Sequence, residues 1–157
     1  MAPTIRQARL GDADELARLR WEFRIEFGTP ATRDLDAFVQ EFRSFTRDAF
    51  ADGSPWRAWV AEDGGRLVGC AWLRLVEKVP HPNRSLDERP IAYVTNMFVD
   101  VDHRNSGLGR ELLRRAVDFA RERGVDGVVV WPSERSRPFY ERAGFSPGPL
   151  WLNVSGD

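Results

Sequence analysis

The chain has 157 residues, a length at which folding as one domain can bury roughly 70% of the unfolded chain's surface. Hydrophobic residues make up 42% and charged residues 30%, as in ordinary globular proteins, so we expect residues 1–157 to form a single domain. The formal net charge of -1 argues against a nucleic-acid-binding protein, and the single cysteine excludes an intrachain disulfide. Cys70 stands in an apolar stretch, which predicts a buried thiol.

The N-terminal residues and the histidines argue against further classes of protein. Residues 1–6 turn polar at once and lack the apolar core of a signal peptide. No apolar run approaches the ~20 residues that span a bilayer, so we expect a cytoplasmic protein that does not enter membranes. The only histidines, His81 and His103, stand in no metal-ligand spacing, and the sequence predicts no metal site.

The first third of the chain predicts one short strand and two helices. Residues 4–9 alternate between apolar and polar side chains, and Asp12 with Glu15 then has the pattern of a capping box. A second helix is predicted to begin near Asp34. The apolar stripes of the two helices are Leu16, Leu19, Phe23 and Phe27, and Leu35, Phe38, Phe42, Phe45 and Ala49. Stripes at this spacing are typical of helices that pack against a core.

The middle of the chain predicts three strands. Residues 56–62 and 66–76 are β-rich runs joined by Asp63-Gly64-Gly65, a hairpin signal because glycine adopts the positive φ angles of tight turns. Residues 77–90 contain three prolines and no periodicity, which predicts a long exposed loop. Residues 91–99 predict a fourth strand.

The last third predicts two helices and two strands. Leu108, Leu112, Ala116 and Phe119 share one face of an amphipathic helix. Residues 127–131 are a continuous apolar run, as expected of a strand buried on both faces. A short helix over 137–143 and a strand over 145–154 complete the order β-α-α-β-β-β-α-β-α-β. This order predicts one layered α/β (α+β) domain.

The segment from residue 97 to residue 110 carries the clearest chemical signal. A buried strand ends at Val99, a polar loop follows, and Gly107 and Gly109 open an amphipathic helix. A helix start leaves backbone N–H groups unpaired and carries partial positive charge, so it favours an anion such as phosphate. Arg104 and Arg110 add guanidinium charge at the two edges, and we predict a phosphate-binding loop.

Two other phosphate-binding motifs do not fit this loop. A Walker loop needs a lysine followed by Ser or Thr after its last glycine, and the only lysine, Lys78, is far away. The dinucleotide fingerprint needs a third glycine where Leu112 stands, and it belongs early in a βαβ unit. This loop follows four predicted strands instead.

What remains, Arg-Asn-Ser-Gly-Leu-Gly at residues 104–109, resembles the (Gln/Arg)-x-x-Gly-x-(Gly/Ala) signature of the GCN5-related N-acetyltransferase (GNAT) superfamily. Residues 137–145 resemble the family's late Leu/Phe-Tyr-x-x-x-Gly-Phe element, and the similarity extends from about Tyr93 to Phe145. The resemblance implies a mixed, mostly antiparallel sheet of six to seven strands flanked by about four helices. It also implies acetyl-CoA as co-substrate, no metal, and direct acetyl transfer in a ternary complex to a primary amine of a small molecule or peptide.

The resemblance further implies roles for individual residues. Backbone N–H groups of the loop would bind the pyrophosphate. In the family two strands part where this strand ends, at Met97-Phe98-Val99, and its backbone would pair there with pantetheine and polarise the thioester carbonyl. Tyr140 would protonate the departing thiolate. The residues assigned to the cofactor are Met97, Phe98, Val99, Arg104, Asn105, Ser106, Gly107, Leu108, Gly109, Arg110 and Ser133. Ser133 departs from the family pattern, because many relatives carry asparagine there.

Several assignments stay open at this point. Tyr140 is also compatible with core packing, and Arg104 and Arg110 are also compatible with solvated charges. No general base is assigned, since a water chain could take the proton. The residues considered for that role are Glu22, Glu26, Asp48, Asn96 and Glu134. Most of the six tryptophans should be core, although one or two near Trp21 could wall an acceptor pocket.

The sequence also leaves a function of another class open. A non-catalytic domain that binds acyl-CoA as a sensor or interaction module would need the same loop. The acceptor and the acyl preference cannot be read from the sequence. Oligomeric state is equally hidden, although homodimers are frequent in such families.

Overall fold

The structure is a computed structural model that describes residues 2–28, 30–80, 82 and 89–148. Within these residues, five strands form one sheet in the order β1-β2-β3-β4-β5. The strands are β1 (Thr4–Gln7), β2 (Trp56–Asp63), β3 (Arg66–Val76), β4 (Ile91–Val99) and β5 (Gly127–Val130). Neighbouring strands are antiparallel except β4 and β5, which are parallel.

Four α-helices accompany the sheet in the described part of the chain. They are α1 (Ala13–Glu26), α2 (Leu35–Ala49), α3 (Leu108–Glu122) and α4 (Arg137–Arg142). The predicted mixed class and the predicted order of elements are confirmed as far as α4. The start of α2 is also as predicted, because the Asp34 side chain accepts a hydrogen bond from Ala37 N at 3.1 Å. None of these helices combines the length and apolarity that crossing a membrane requires.

Two predictions about the strands differ from the structure. The described sheet has five strands rather than six to seven, and the predicted last strand, residues 145–154, lies mostly outside the described residues. Residues 145–148 are described and form no strand. The prediction that residues 127–131 are buried on both faces is wrong: the four residues of β5 are half-buried, and Trp131 is 71% exposed. An apolar β-branched run suits the outermost described strand as well as a central one, so the pattern could not separate them.

Apolar side chains cover both faces of the sheet and divide the core in two. The α3-side core consists of Trp59, Ala61, Val68, Ala71, Leu73, Ala92, Val94, Leu108, Leu112, Leu113, Ala116, Ala120 and Tyr140. The α1/α2-side core consists of Leu16, Leu19, Ala49, Ala58, Val60, Leu67, Cys70, Trp72 and Phe98. The sheet is therefore the middle of three layers, and Cys70 is buried as predicted.

The predicted capping box at the start of α1 is wrong. The Asp12 carboxylate accepts hydrogen bonds from Arg6 Nη1, Arg6 Nη2 and the backbone N–H of Arg9, each at 2.8 Å. The Glu15 carboxylate accepts from Leu67 N at 3.3 Å instead of reaching back to the helix start. The Asp12 carboxylate, which was predicted to cap α1, binds Arg6 of β1 instead. Asp12 therefore links β1 to the beginning of α1.

This buried carboxylate should make stability depend on pH. Burial opposes ionisation of Asp12, but the hydrogen bonds from Arg6 and from Arg9 N–H outweigh it and lower its pKa. The stabilisation is present above the unfolded-state value of about 3.9 and is lost as pH falls through the lower folded-state pKa. We expect Asp12→Asn to lower the free energy of unfolding by about 1–3 kcal/mol at neutral pH.

Denaturant unfolding of Asp12→Asn and wild type, at neutral pH and below about pH 4, measures this effect. The difference between the two proteins should shrink in acid. Asp52→Asn serves as control, because Asp52 is exposed and forms no ion pair with any described residue. A difference that is constant with pH would contradict the role given to the ionised carboxylate.

Candidate functional site

A cleft opens where β4 and β5 part. The two strands pair only over Ile91–Val94 and Gly127–Val130, and no described strand neighbours the rest of β4 on that side. The resulting cleft has a volume of about 1100 Å³ and is lined by the end of β4, the last turns of α1, the start of α3 and the segment from 131 to 143. The parting of two strands that the family resemblance implies is therefore present.

A β-bulge in β4 shapes the floor of this cleft. Asn96 and Met97 together oppose one residue of β3, Ala71. Asn96 has φ 49°, in the left-handed region that asparagine tolerates better than most residues. Val94 before the bulge and Met97, its second residue, both pack against the α3-side core, although their positions in the chain differ by an odd number of residues. The bulge thus reverses the alternation of side chains at the point where the strands part.

The register shows which backbone groups of β4 face the cleft. Asp100 N donates to Val68 O at 2.9 Å, so the backbone of Asp100 points toward β3. Because backbone direction alternates along a strand, Val99 and Met97 point into the cleft and Phe98 points toward β3. All three predicted strand residues line the cleft. Met97 and Val99 present backbone groups to it, whereas the Phe98 side chain is buried in the α1/α2-side core.

The start of α3 forms the second wall and carries unpaired amides. Gly107 is the N-cap residue, with φ 88°, and no side chain of the described residues caps the helix there. The first intrahelical hydrogen bond runs from Glu111 N to Gly107 O at 3.1 Å. The backbone N–H groups of Leu108, Gly109 and Arg110 precede it and have no intrahelical partner.

The residues predicted for this loop take different positions. Those that line the cleft are Arg104, Asn105, Gly107, Gly109 and Arg110. Leu108 buries its side chain in the α3-side core, and Ser106 Oγ donates to His103 O at 2.5 Å. The Leu108 side chain is therefore not available to a ligand in the cleft, and the hydroxyl proton of Ser106 is already donated to the backbone.

Arg104 is held by protein groups, whereas Arg110 is not. Arg104 Nε donates to Val99 O at 2.8 Å, and Arg104 Nη1 donates to Glu26 Oε1 at 2.7 Å. Glu26 also pairs with Arg135 at 3.2 Å, so one carboxylate joins arginines from the two sides of the cleft mouth. Arg110 is exposed and forms no ion pair with any described residue.

Tyr140 belongs to both the core and the cleft. It is 9% exposed, packs with the α3-side core and lines the cleft. Its ring lies 5.1 Å from that of Phe139 and 5.6 Å from that of Phe145 between centroids. Burial, with a smaller contribution from Tyr93, raises the pKa of Tyr140 to about 12. The phenol therefore stays protonated across the range in which most enzymes work.

Ser133 and the residues considered as bases are distributed unevenly. Ser133 lines the cleft, and its Oγ accepts from Ser136 N at 3.2 Å, which organises the turn before α4. Glu26 and Asn96 line the cleft. Glu22, Asp48 and Glu134 do not line it, and Glu22 is bound to Arg18 at 2.7 Å. The hydrogen bond from Arg104 lowers the pKa of Glu26, which makes that carboxylate a weaker base.

The sequence interpretation assigned no cleft role to several residues that line it, among them Arg20 and Trp131. Arg20 on α1 is half-buried, and its Nη1 donates to Asn96 Oδ1 at 3.0 Å. Its position four residues after Leu16 places a charge within the apolar stripe, a signal that could have identified it. A tryptophan was predicted to wall the acceptor pocket near Trp21. Trp21 does not line the cleft, whereas Trp131, directly after β5, does.

The charge of the cleft is strongly positive. One carboxylate, Glu26, lines it. The arginines that line it are Arg20, Arg24, Arg104, Arg110, Arg135 and Arg142. Such a surface favours a ligand with several negative charges. Among the described residues, no group of three or more His, Cys, Asp and Glu side chains is placed to hold a metal ion.

Sequence comparison identifies relatives over most of the chain. The sequence model of the Acetyltransferase (GNAT) family matches residues 14–145. A glucosamine 6-phosphate N-acetyltransferase from Trypanosoma brucei brucei is 33% identical over 81 residues, which are 52% of this chain and 52% of that protein. The aligned part thus spans about half the length of this relative.

Solved structures match the whole fold. A GCN5-related N-acetyltransferase from Ralstonia eutropha is 31% identical, with a TM-score of 0.74 and coverage of 98% of both chains. A predicted acetyltransferase from Clostridium acetobutylicum, solved with acetyl-CoA, has a TM-score of 0.82 at 23% identity. The match covers 98% of this chain and 96% of that one, and at this identity it supports the fold alone.

The two glycines of the loop should respond differently to alanine. Gly107 has φ 88°, where a Cβ costs about 1–2 kcal/mol, so Gly107→Ala should lower the free energy of unfolding by that amount. A Cβ at Gly109 would meet Phe139 at 3.5 Å and Val99 at 3.7 Å, which are ordinary contacts. Alanine is also the better helix former, so Gly109→Ala should leave stability unchanged or raise it by up to about 1 kcal/mol.

Denaturant unfolding of both variants beside wild type measures this contrast, with each variant acting as the control for the other. Equal losses of stability would contradict the left-handed backbone assigned to Gly107.

Proposed function

The chain belongs to the GNAT family of acetyltransferases, and from that premise we propose that it transfers the acetyl group of acetyl-CoA to a primary amine. The observation that carries the proposal is the cleft in which the parted end of β4 meets the unpaired amides of α3. The Trypanosoma relative is a glucosamine 6-phosphate N-acetyltransferase, which supports an amine as the acceptor. We place the acceptor among small molecules or peptides.

The cofactor would bind mainly through backbone groups. The amides of Leu108, Gly109 and Arg110, at the positive end of α3, suit a diphosphate. Pantetheine would continue the sheet by pairing with Met97 and Val99, in the manner of an added strand. Arg110, which has no described ion-pair partner, would add charge to the diphosphate. Asn105, Ser106 and Ser133 are proposed as further contacts from the edges of the cleft.

The reaction would proceed by direct attack in a ternary complex. The neutral amine nitrogen bonds to the thioester carbonyl carbon, and the carbonyl oxygen gains negative charge. The cleft-facing N–H of Met97 is the proposed donor to that oxygen. The C–S bond then breaks, the thiolate takes the phenolic proton of Tyr140, and the amide nitrogen loses its extra proton to water. Tyr140 regains its proton from solvent.

The acidity of Tyr140 suits this step because the leaving group would sit in the same surroundings. A phenol of pKa about 12 is a poor donor to a thiolate in water, where a thiol has a pKa of about 8.5. Burial raises thiol pKa values too: that of Cys70, in the core of this protein, rises to about 12. A coenzyme A thiolate that leaves beside the buried Tyr140 ring would also lose solvent, which raises its pKa and narrows the difference from the pKa of the phenol.

No side chain is proposed as the general base. Glu26 lines the cleft, but its two arginine partners hold it in the ionised, weakly basic form. Asn96 is an amide and takes no proton at ordinary pH. Water in the open cleft is the proposed acceptor of the ammonium proton.

Thiol release with a panel of amines tests the activity, and Tyr140→Phe tests the acid. We expect Tyr140→Phe to lower kcat by about 100-fold or more, because the thiolate loses its proton donor. The Kd for acetyl-CoA should stay within about twofold, since no binding contact is assigned to the hydroxyl. Tyr93→Phe is the matched control, because Tyr93 is the only other tyrosine and does not line the cleft. A wild-type rate for Tyr140→Phe across pH would overturn the assignment.

Glu26 should oppose cofactor binding. Its carboxylate forms ion pairs with Arg104 and Arg135 and places a negative charge at the mouth of the cleft. Glu26→Gln should therefore lower the Kd for coenzyme A by about two- to fivefold at low salt, and the gain should fade at high salt. Calorimetric titration measures the Kd. Glu41→Gln removes a carboxylate from the Arg33 ion pair outside the cleft and should change nothing. Unchanged or weaker binding by Glu26→Gln would contradict the prediction.

A further inference from the structure

Arg20 is a half-buried cation that has no carboxylate partner among the described residues. Among the described residues, most half-buried arginines pair with a carboxylate, as Arg18 on the same helix does with Glu22 at 2.7 Å and Glu15 at 3.1 Å. Arg57 has no carboxylate partner there but donates to the backbone carbonyls of Ser54 and Trp56. Burying a charge without an opposite charge is costly, and arginine is seldom buried unless it is paired. The position of Arg20 therefore calls for an anion that the described protein does not supply.

The contacts of Arg20 leave most of its hydrogen-bonding capacity open. Its Nη1 donates to Asn96 Oδ1 at 3.0 Å, and its guanidinium carbon lies 5.5 Å from the centre of the Phe23 ring. These contacts use one of the five N–H donors of the group and fix its orientation. Since Arg20 lines the cleft, the remaining donors are available to a ligand there.

The position of Arg20 along the cleft separates it from the diphosphate region. Glu26, six residues later on α1, reaches the phosphate-binding loop through Arg104. Six helical residues correspond to about 9 Å, so Arg20 lies well toward the other end of the cleft. There it touches Asn96, the residue at the bulge beside the proposed oxyanion donor Met97. A ligand group bound by Arg20 would thus belong to the acceptor and not to the diphosphate.

The neighbouring charges strengthen the case for an anion. Arg24 follows Arg20 by one helical turn, and both line the cleft. Like charges at this spacing destabilise a helix by a few tenths of a kcal/mol. Burial, together with the charge of Arg24, lowers the pKa of Arg20. A bound anion would offset both effects, and a planar guanidinium fits phosphate or carboxylate oxygens in pairs.

We propose that the acceptor amine carries an anionic group, a phosphate or a carboxylate, and that Arg20 binds this group beside the bulge of β4. The inference rests on the proposed acetyl transfer and narrows its acceptor to acidic amines. Arg20 is then a specificity-determining residue that acts on acceptor binding.

Matched acceptor pairs test this inference. Wild type, Arg20→Gln and Arg20→Lys are assayed for thiol release with glucosamine 6-phosphate against glucosamine, and with an amino acid against its amide. Wild type should prefer the anionic member of at least one pair by about tenfold or more in kcat/KM. Arg20→Gln should lose that preference through a higher KM for the anionic member, so that the kcat/KM ratio of the pair falls toward one, and Arg20→Lys should restore part of it. Arg47→Gln, an exposed arginine outside the cleft, is the control.

The outcomes distinguish the inference from the function on which it rests. Neutral amines used as well as their anionic partners in every pair would overturn the anion site and leave acetyl transfer standing. An equal loss of kcat with both members in Arg20→Gln would also overturn it, because that pattern belongs to the oxyanion step. No thiol release with any amine would count against the proposed function.

A binding measurement examines Arg20 without turnover. Protein saturated with coenzyme A is titrated calorimetrically with glucosamine 6-phosphate and, separately, with inorganic phosphate. Wild type should bind glucosamine 6-phosphate at least about tenfold more tightly than Arg20→Gln does, with thermal unfolding confirming that both are folded. The same titration is made with the amino acid. Equal affinity of wild type and Arg20→Gln for both anionic acceptors, or no binding of either acceptor by wild type, would overturn the inference. Failure of coenzyme A itself to bind would instead remove the proposed function.

Discussion

Beyond Val94, the backbone N–H and C=O groups on one side of β4 no longer pair with β5. The rest of the site depends on these unpaired groups. Backbone N–H and C=O groups in a protein interior need partners, so a strand that parts from the sheet requires a ligand, water or side chain in the gap. In this structure Arg104 supplies one such partner, at Val99 O. The bulge at Asn96 adds a reversal of side-chain direction at the same place. Strand and bulge together make an extended, one-sided binding surface.

Charge is arranged along that surface in two parts. Near the start of α3, Glu26 holds Arg104 and Arg135 together across the cleft mouth. Toward the bulge, Arg20 has no carboxylate partner among the described residues and contacts the Asn96 side-chain amide and the Phe23 ring. Near α3, an anionic ligand group would compete with the Glu26 carboxylate for Arg104 and Arg135. Near the bulge, an anionic ligand group could bind Arg20 without displacing a carboxylate of the described residues.

The sequence predicted the elements well where local patterns decide them. The stripe that begins at Leu108, the Gly64-Gly65 turn and the Asp34 cap each express a local preference, and the structure contains the corresponding helix, hairpin and helix start. Long-range partners defeated the same reasoning elsewhere. Asp12 does not cap α1, because its carboxylate binds Arg6 of β1 and the N–H of Arg9, and Arg104 pairs with Glu26, 78 residues away. The bulge at Asn96 has no periodic signature in the sequence. The position of Arg20 beside the bulge, where it binds Asn96, could therefore not be predicted either.

The central claim is that free amides of β4 and α3 hold the cofactor, and backbone NMR tests it most directly. Titration of the amide-labelled protein with coenzyme A should shift the resonances of Met97, Val99, Leu108, Gly109 and Arg110. Hydrogen exchange at these amides should slow in the complex, because each gains an acceptor. Amides on the α2 surface should not change. Binding that leaves these five amides unshifted and unprotected would contradict the account.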